Sequence, residues 1–281
     1  MVRPLRIEYP GAVYFVSSKA DFPVFADDQD RSTLLNLMAQ AAQRFDAQVL
    51  AYCLGHEHYE LLLFTRHANL SRLMRHLNGV YTQAFNRRQS RAGQLFHGRF
   101  KAVVVERETQ LLDACRYIDM GAARWGEVDA PANWMWSSFR AHAGLDEAPP
   151  WLDCEGLWSY VADVHVQSAA ERRRAAQRYT RLVHSDPELN ILPRIRHQVF
   201  LGSDEFIQEL RDLGRTQPRA PSSRPWKDWL KEAQGDRERA LYNAHTVGGV
   251  SMSDLAQELD LSISRVSRLI SAYERKQELV T

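Results

Sequence analysis

The sequence has no apolar run of the ~20 residues that a membrane span requires. Its 281 residues include only three cysteines. Cys53, Cys115 and Cys154 lack the spacing of a metal or redox motif and are odd in number, so we expect reduced thiols. No apolar stretch follows the first charged residues, so a secretory signal is not expected. These absences predict a soluble cytoplasmic protein without membrane contacts.

Acidic residues are missing from one long stretch. No Asp or Glu lies between Glu60 and Glu106, although the net charge of the whole chain is only +1. The basic residues of this stretch that we expect to bind nucleic acid are Arg72, Arg75, Arg87, Arg88, Arg91, Arg99 and Lys101. Aromatic residues are interleaved with them, and arginines neutralise phosphates while aromatic rings stack on unpaired bases. The alternative is a basic helix that merely faces solvent.

Strand-type and helix-type patterns alternate in the first half of the chain. The predicted strands are 12–18, 48–54, 56–64 and 102–106, and the intervening helices end near residues 45, 88 and 120. The order β-α-β-β-α-β followed by a helix is that of a ferredoxin-like domain. We therefore expect an α+β fold, with one layer of helices on one face of an antiparallel sheet.

The chain divides into four predicted segments. The α+β domain spans 1–153, a helical extension spans 154–215, a Pro/Ser-rich linker spans 216–225, and an all-α domain spans 226–281. Within the extension we expect one helix from 155 to about 184. Its basic run at 172–174 is typical of a solvated face.

The last domain has the pattern of a helix-turn-helix. We expect one helix over 226–245, a second over 253–259 and a third over 263–270, with a turn at Asp260 and a cap at Ser262. The predicted core residues are Leu255, Ala256, Leu259, Val266 and Ile270. The residues left exposed on the third helix are Ser264, Arg265, Ser267 and Arg268. Such a helix enters the major groove of duplex DNA, although similar units also bind proteins.

Two features point to metal and phosphate chemistry. His56, His58 and Glu60 alternate along the third predicted strand, so their side chains share one face. Imidazole and carboxylate groups are usual ligands of divalent metals, and the alternative is a strand with polar residues facing solvent. Tyr117 lies on a predicted helix, where a tyrosine is either a packing residue or, beside a metal, a nucleophile toward a phosphodiester.

Several motifs make residues 1 to about 153 resemble the HUH-type tyrosine transposases, in particular the REP-associated group. The motifs begin at Arg3, Tyr52, His58, Leu70, Phe85, Gly93, Arg116 and Trp136. The resemblance implies a ferredoxin-like fold that binds DNA hairpins, cuts single-stranded DNA with a tyrosine and uses a divalent metal held by a His-hydrophobic-His pair. It also implies a location at the nucleoid and a possible homodimer.

The resemblance assigns roles to particular residues and also shows departures. It implies that Tyr117 is the nucleophile and that His58-Tyr59-Glu60 is the metal motif, with Glu60 in place of the second histidine. The Asn-Pro pair of the family appears as Gly121-Ala122, its first-strand histidine as Phe15, and its Gly-Asn pair as Ala20-Asp21.

These departures leave two expectations. The first is a degenerate, domesticated transposase that binds DNA and acts as a regulator without cutting. The alternative is an active strand transferase with a covalent phosphotyrosine intermediate, in which His56, His58 and Glu60, with Asp119 nearby, rebuild a Mg²⁺ or Mn²⁺ site.

Overall fold

The structure, a computed structural model, describes residues 7–216, 225–246, 250 and 252–278. The motif at Arg3 and most of the predicted linker lie outside the described residues. Contacts group the chain into two compact units, Met1–Gln208 and Glu209–Thr281. The first unit contains most of the segment that we predicted as a helical extension.

The first unit is built around one sheet. Its first seven elements are β1 (Ala12–Lys19), α1 (Asp28–Arg44), β2 (Ala47–Leu54), β3 (His58–Thr65), α2 (Leu70–Arg88), β4 (Lys101–Val105) and α3 (Arg107–Asp119). The strand order is β2-β3-β1-β4, and all three neighbouring pairs are antiparallel. This arrangement confirms the predicted ferredoxin-like α+β fold.

The remaining elements of this unit are helical, with one short strand. They are α4 (Gly121–Arg124), α5 (Phe139–His142), α6 (Cys154–Ala162), α7 (Ala169–His184), β5 (Phe200–Leu201) and the start of α8 (Asp204–Thr216), whose residues from Glu209 onward belong to the second unit. β5 pairs in parallel with β4, so the sheet has a fifth strand and is mixed rather than purely antiparallel. The sequence prediction missed β5 because two residues are too few to show a strand period.

Helices cover both faces of the sheet. Phe15 of β1 and Leu62 of β3 point into a core shared with α3, α6 and α7. Tyr59 points to the opposite face, where its hydroxyl donates a hydrogen bond to Asn78 of α2. The expectation of a single helical layer is therefore wrong, because the helices that follow residue 153 form much of the second layer.

The predicted helix over 155–184 is in fact two helices. α6 ends at Asp163, which has a left-handed φ of 57°. α7 then begins after Ser168, which forms a capping box with Glu171. The predicted run was too long because a non-glycine residue in the left-handed region has no clear sequence pattern.

A buried polar cluster joins the helices of the second layer. Asp119 at the end of α3 is fully buried and accepts hydrogen bonds from the Ser138 and Tyr179 hydroxyls and from His142 Nδ1 at 2.7 Å. Burial alone would lower the pKa of His142, but the adjacent carboxylate outweighs it and raises that pKa to about 10. Asp119 and His142 thus form a buried ion pair.

The second unit is a small helical cluster. Its helices are α9 (Trp226–Glu232), α10 (Arg237–Thr246), α11 (Met252–Glu258) and α12 (Ile263–Glu278). Their shared core includes Trp229, Leu241, Leu255, Val266 and Ile270. α11 and α12 agree with the predicted second and third helices, while their role in binding DNA stays a prediction.

The single helix predicted over 226–245 is wrong. Gln234 and Gly235 have φ values of 54° and 84°, which end α9. The Asp236 carboxylate then accepts hydrogen bonds from the backbone N–H groups of Glu238 and Arg239, which starts α10. Within the described part of both units, no helix is long and apolar enough to cross a membrane.

We expect Asp119→Asn to lower the free energy of unfolding by about 3–5 kcal/mol, because it breaks the buried ion pair and His142, without the carboxylate, must lose its proton to stay buried. Urea denaturation followed by circular dichroism measures the loss. Asp186→Asn is the matched control, since Asp186 is exposed and its change is expected to stay within about 0.5 kcal/mol. Equal stability of the two variants would contradict the buried ion pair.

Candidate functional site

The candidate site lies where β1 and β3 run side by side under α3. Their antiparallel register places Ser17 opposite Glu60 and Lys19 opposite His58. Because strand side chains alternate between faces, His58 and Glu60 share the face that carries Phe15 and α3. This face also holds Tyr117.

Tyr117 is buried inside this site. Its side chain lies on α3 and is only 2% exposed. The ring of Phe15 packs edge-on against it, with the ring centroids 5.8 Å apart. Burial, and then the charge of Glu60, raise the pKa of Tyr117 to about 12. The phenol therefore keeps its proton near neutral pH, and its oxygen has little access to solvent.

Arg124 connects Glu60 to Tyr117. Its Nη2 lies 2.7 Å from Glu60 Oε2. Its Cζ lies 3.5 Å from the centroid of the Tyr117 ring, and its Nη1 donates a hydrogen bond to the Tyr117 carbonyl. Glu60 is only 7% exposed. Burial raises the pKa of Glu60 to about 7, although Arg124 favours the charged form.

The three predicted metal ligands point to three different partners. His56 Nδ1 contacts the Glu127 carboxylate, and the His56 side chain is 54% exposed. The His58 ring packs edge-on to Trp125 at 4.0 Å, and burial lowers its pKa to about 4. Glu60 pairs with Arg124. β3 begins at His58, so the alternation does not extend to His56, which lies in the preceding turn.

The residues present do not fit the divalent metal that the family resemblance implies. No group of three or more His, Cys, Asp or Glu side chains able to hold a metal occurs among the described residues. Asp119 is already bonded to Ser138, His142 and Tyr179. Phe15 supplies no ligand atom, and one oxygen of Glu60 is engaged by Arg124.

Gly121 permits the close approach that builds this site. A Cβ atom at Gly121 would lie 3.0 Å from the Trp125 ring and 3.1 Å from Cys53 Sγ. A larger residue, such as the asparagine implied by the resemblance, would displace Trp125 from its place against His58.

The sequence interpretation gave no role to Arg124, Trp125 or Glu127. One signal was available for Arg124: it follows Tyr117 by seven residues, the two-turn spacing that places residues on one helical face.

A second feature of the first unit is a basic groove between α2 and residues 93–100. Its volume is about 940 Å³. Arg75 and Arg99 line it, with Phe100 as an aromatic wall. The amide side chains along it are Asn78, Gln83 and Gln94. Sequence reasoning identified the arginines but missed these amides.

The predicted DNA-binding arginines differ in their surroundings. Arg88 pairs with Asp27 and lies 2.6 Å from Asp30, so it ties α2 to the start of α1. The Arg91 guanidinium lies 4.0 Å from the centroid of the Phe22 ring. Exposed side chains are also found at Arg72, Arg75, Arg87, Arg99 and Lys101. Arg75 and Arg99 are thus the members that face the groove.

The predicted recognition face of α12 is accessible. Ser264, Arg265 and Arg268 are exposed and Ser267 is partly buried. Ser262 caps the helix as predicted, since its hydroxyl accepts from the backbone N–H of Arg265 at 3.2 Å.

Comparison with known proteins gives three results. No curated protein matches the chain. Among solved structures, a REP-associated tyrosine transposase bound to a REP hairpin is 14% identical with a TM-score of 0.46, over 53% of this chain and 89% of that chain. The family model of IS200-like transposases matches residues 14–120. This span contains Tyr117, His58, Glu60 and most of the basic groove, and over it the chain is similar to the IS200-like transposases, in agreement with the resemblance drawn from the motifs.

Proposed function

We propose that this protein is a degenerate transposase that binds hairpin or single-stranded DNA without cutting it and acts as a regulator. The basic groove carries the proposal. Arg75 and Arg99 supply positive charge for backbone phosphates, and Phe100 offers a ring for stacking on an unpaired base. The amide side chains of the groove, each with donors and acceptors, are suited to base edges.

The state of Tyr117 supports binding without cleavage. A tyrosine that attacks a phosphodiester has to bring its oxygen to the phosphorus atom and lose its proton. Tyr117 is 2% exposed and packed against Phe15. The raised pKa of Tyr117 disfavours loss of the proton. The poor fit of the described residues to a metal leaves the attack without a cation that would polarise the phosphate.

The second unit adds a proposed contact to duplex DNA. α12 presents Arg265 and Arg268 on one exposed face, as a recognition helix does in the major groove. A protein that grips a hairpin with one unit and the neighbouring duplex with the other would occupy its site and block other proteins, which is why we propose a regulatory role.

The groove makes a quantitative prediction. We expect Arg75→Gln combined with Arg99→Gln to weaken binding to hairpin-bearing single-stranded DNA and to reduce the slope of log K against log salt by about 1.4, or about 0.7 per phosphate contact. Fluorescence anisotropy at several salt concentrations measures both. The matched control is Arg178→Gln with Arg181→Gln on α7, which removes equal charge from the other side of the sheet. Equal losses in the two pairs would argue against the groove.

Cleavage is tested on the same DNA. With Mg²⁺ or Mn²⁺ present, we expect tight binding but no covalent protein–DNA adduct on a denaturing gel, and Tyr117→Phe should bind as the wild type does. The hairpins should come from repeats beside the gene. An adduct that disappears in Tyr117→Phe would overturn the proposal and favour the active strand transferase.

For duplex DNA, we expect Arg265→Ala with Arg268→Ala to weaken binding, because two phosphate or base contacts are lost. Lys227→Ala with Lys231→Ala on α9 removes the same charge from the same unit and serves as the control. Gel-shift titration of duplexes from the region around the gene gives the affinities. An α12 variant that binds every duplex as the wild type does would rule out this role for the helix.

A further inference from the structure

We propose that the guanidinium of Arg124 replaces the divalent cation in this site, so that the protein neutralises Glu60 with its own side chain and binds DNA without a metal. The inference deepens the proposed function, since it states what occupies the cation position in a transposase frame that no longer cuts.

The first argument is the charge of Glu60. Its carboxylate lies in the middle of the sheet, 7% exposed, and a buried charge without a counter-charge is strongly unfavourable. Arg124 Nη2 supplies the counter-charge at 2.7 Å. An arginine stays protonated at every physiological pH, so this cation is permanent and independent of any metal in solution.

The second argument is that Arg124 is held in place on several sides. Its Cζ lies 3.5 Å from the Tyr117 ring centroid and 5.3 Å from that of Trp125. Its Nη1 is bonded to the Tyr117 carbonyl. The side chain is only 24% exposed. Gly121 lets the backbone of α4 lie against Cys53. This close packing brings Arg124, on the same short helix, near enough to the sheet for its guanidinium to contact Glu60.

The third argument is competition for the same ligand atoms. A divalent ion at this position would have to bind Glu60 beside the guanidinium, and the repulsion between the two cations disfavours its binding. His58, two residues before Glu60 on the same face of β3, offers an additional donor. Removal of the guanidinium would therefore leave the buried Glu60 carboxylate without a counter-charge and with the His58 imidazole on the same strand face. These two groups are a partial ligand set for Mn²⁺.

The test uses the full chain and Mn²⁺ alone, without DNA, with free Mn²⁺ measured by electron paramagnetic resonance. We expect the wild type and Glu60→Gln to bind Mn²⁺ equally weakly. Arg124→Met keeps the apolar stem but loses the charge, and should bind one Mn²⁺ at least about tenfold more tightly than the wild type. Adding Glu60→Gln to Arg124→Met should abolish the gain, and Arg124→Lys, which keeps the charge, should behave as the wild type does.

Two results would overturn the inference. One is a wild-type protein that binds one Mn²⁺ tightly and loses it in Glu60→Gln, because the cation position would then be open to metal. The other is a folded Arg124→Met variant, checked by circular dichroism, that gains no Mn²⁺. If that variant does not fold, the comparison of wild type with Glu60→Gln still decides the question. Since no DNA is present, failure of hairpin binding would count against the proposed function and leave this result intact.

Discussion

A carboxylate buried in the middle of a sheet must be neutralised, and much of the candidate site follows from how this protein neutralises Glu60. The cation comes from Arg124, on the short helix directly after α3. Because the ion pair holds α4 against the sheet, Trp125 packs against His58 and Glu127 contacts His56. The ion pair therefore covers the candidate nucleophile, and the residues that follow Arg124 engage the two histidines that the spacing suggested as metal ligands.

A second buried charge anchors the same end of α3. Asp119 is neutralised by His142 and bonded to Ser138 and Tyr179, which fixes the helices of the second layer relative to α3. Tyr117 lies two residues before Asp119, and the Arg124 guanidinium packs on its ring. The phenol is thus held by both neighbouring ion pairs along the chain and is covered from solvent.

Much of the first unit was predictable because its strands are short runs of apolar and β-branched residues and α1 begins at the Asp27 cap. The breaks at Asp163 and Gln234 were not predictable, since both are non-glycine residues in the left-handed region. The exposed face of α12 followed from helical spacing. The role of Arg124 did not, because it depends on the close packing of Gly121 against Cys53, a contact between distant parts of the chain. The ion pairs of Arg88 were hidden for the same reason.

The parallel pairing of β5 with β4 bears on how the chain reaches its folded state. The matched family span ends at residue 120, yet among the described residues the outer edge of β4 pairs with 199–201. During synthesis the backbone groups of that edge have no strand partner until residue 201 has left the ribosome. An uncovered strand edge pairs readily with other chains, so the nascent protein passes through an aggregation-prone stage whose length is set by the rate of translation.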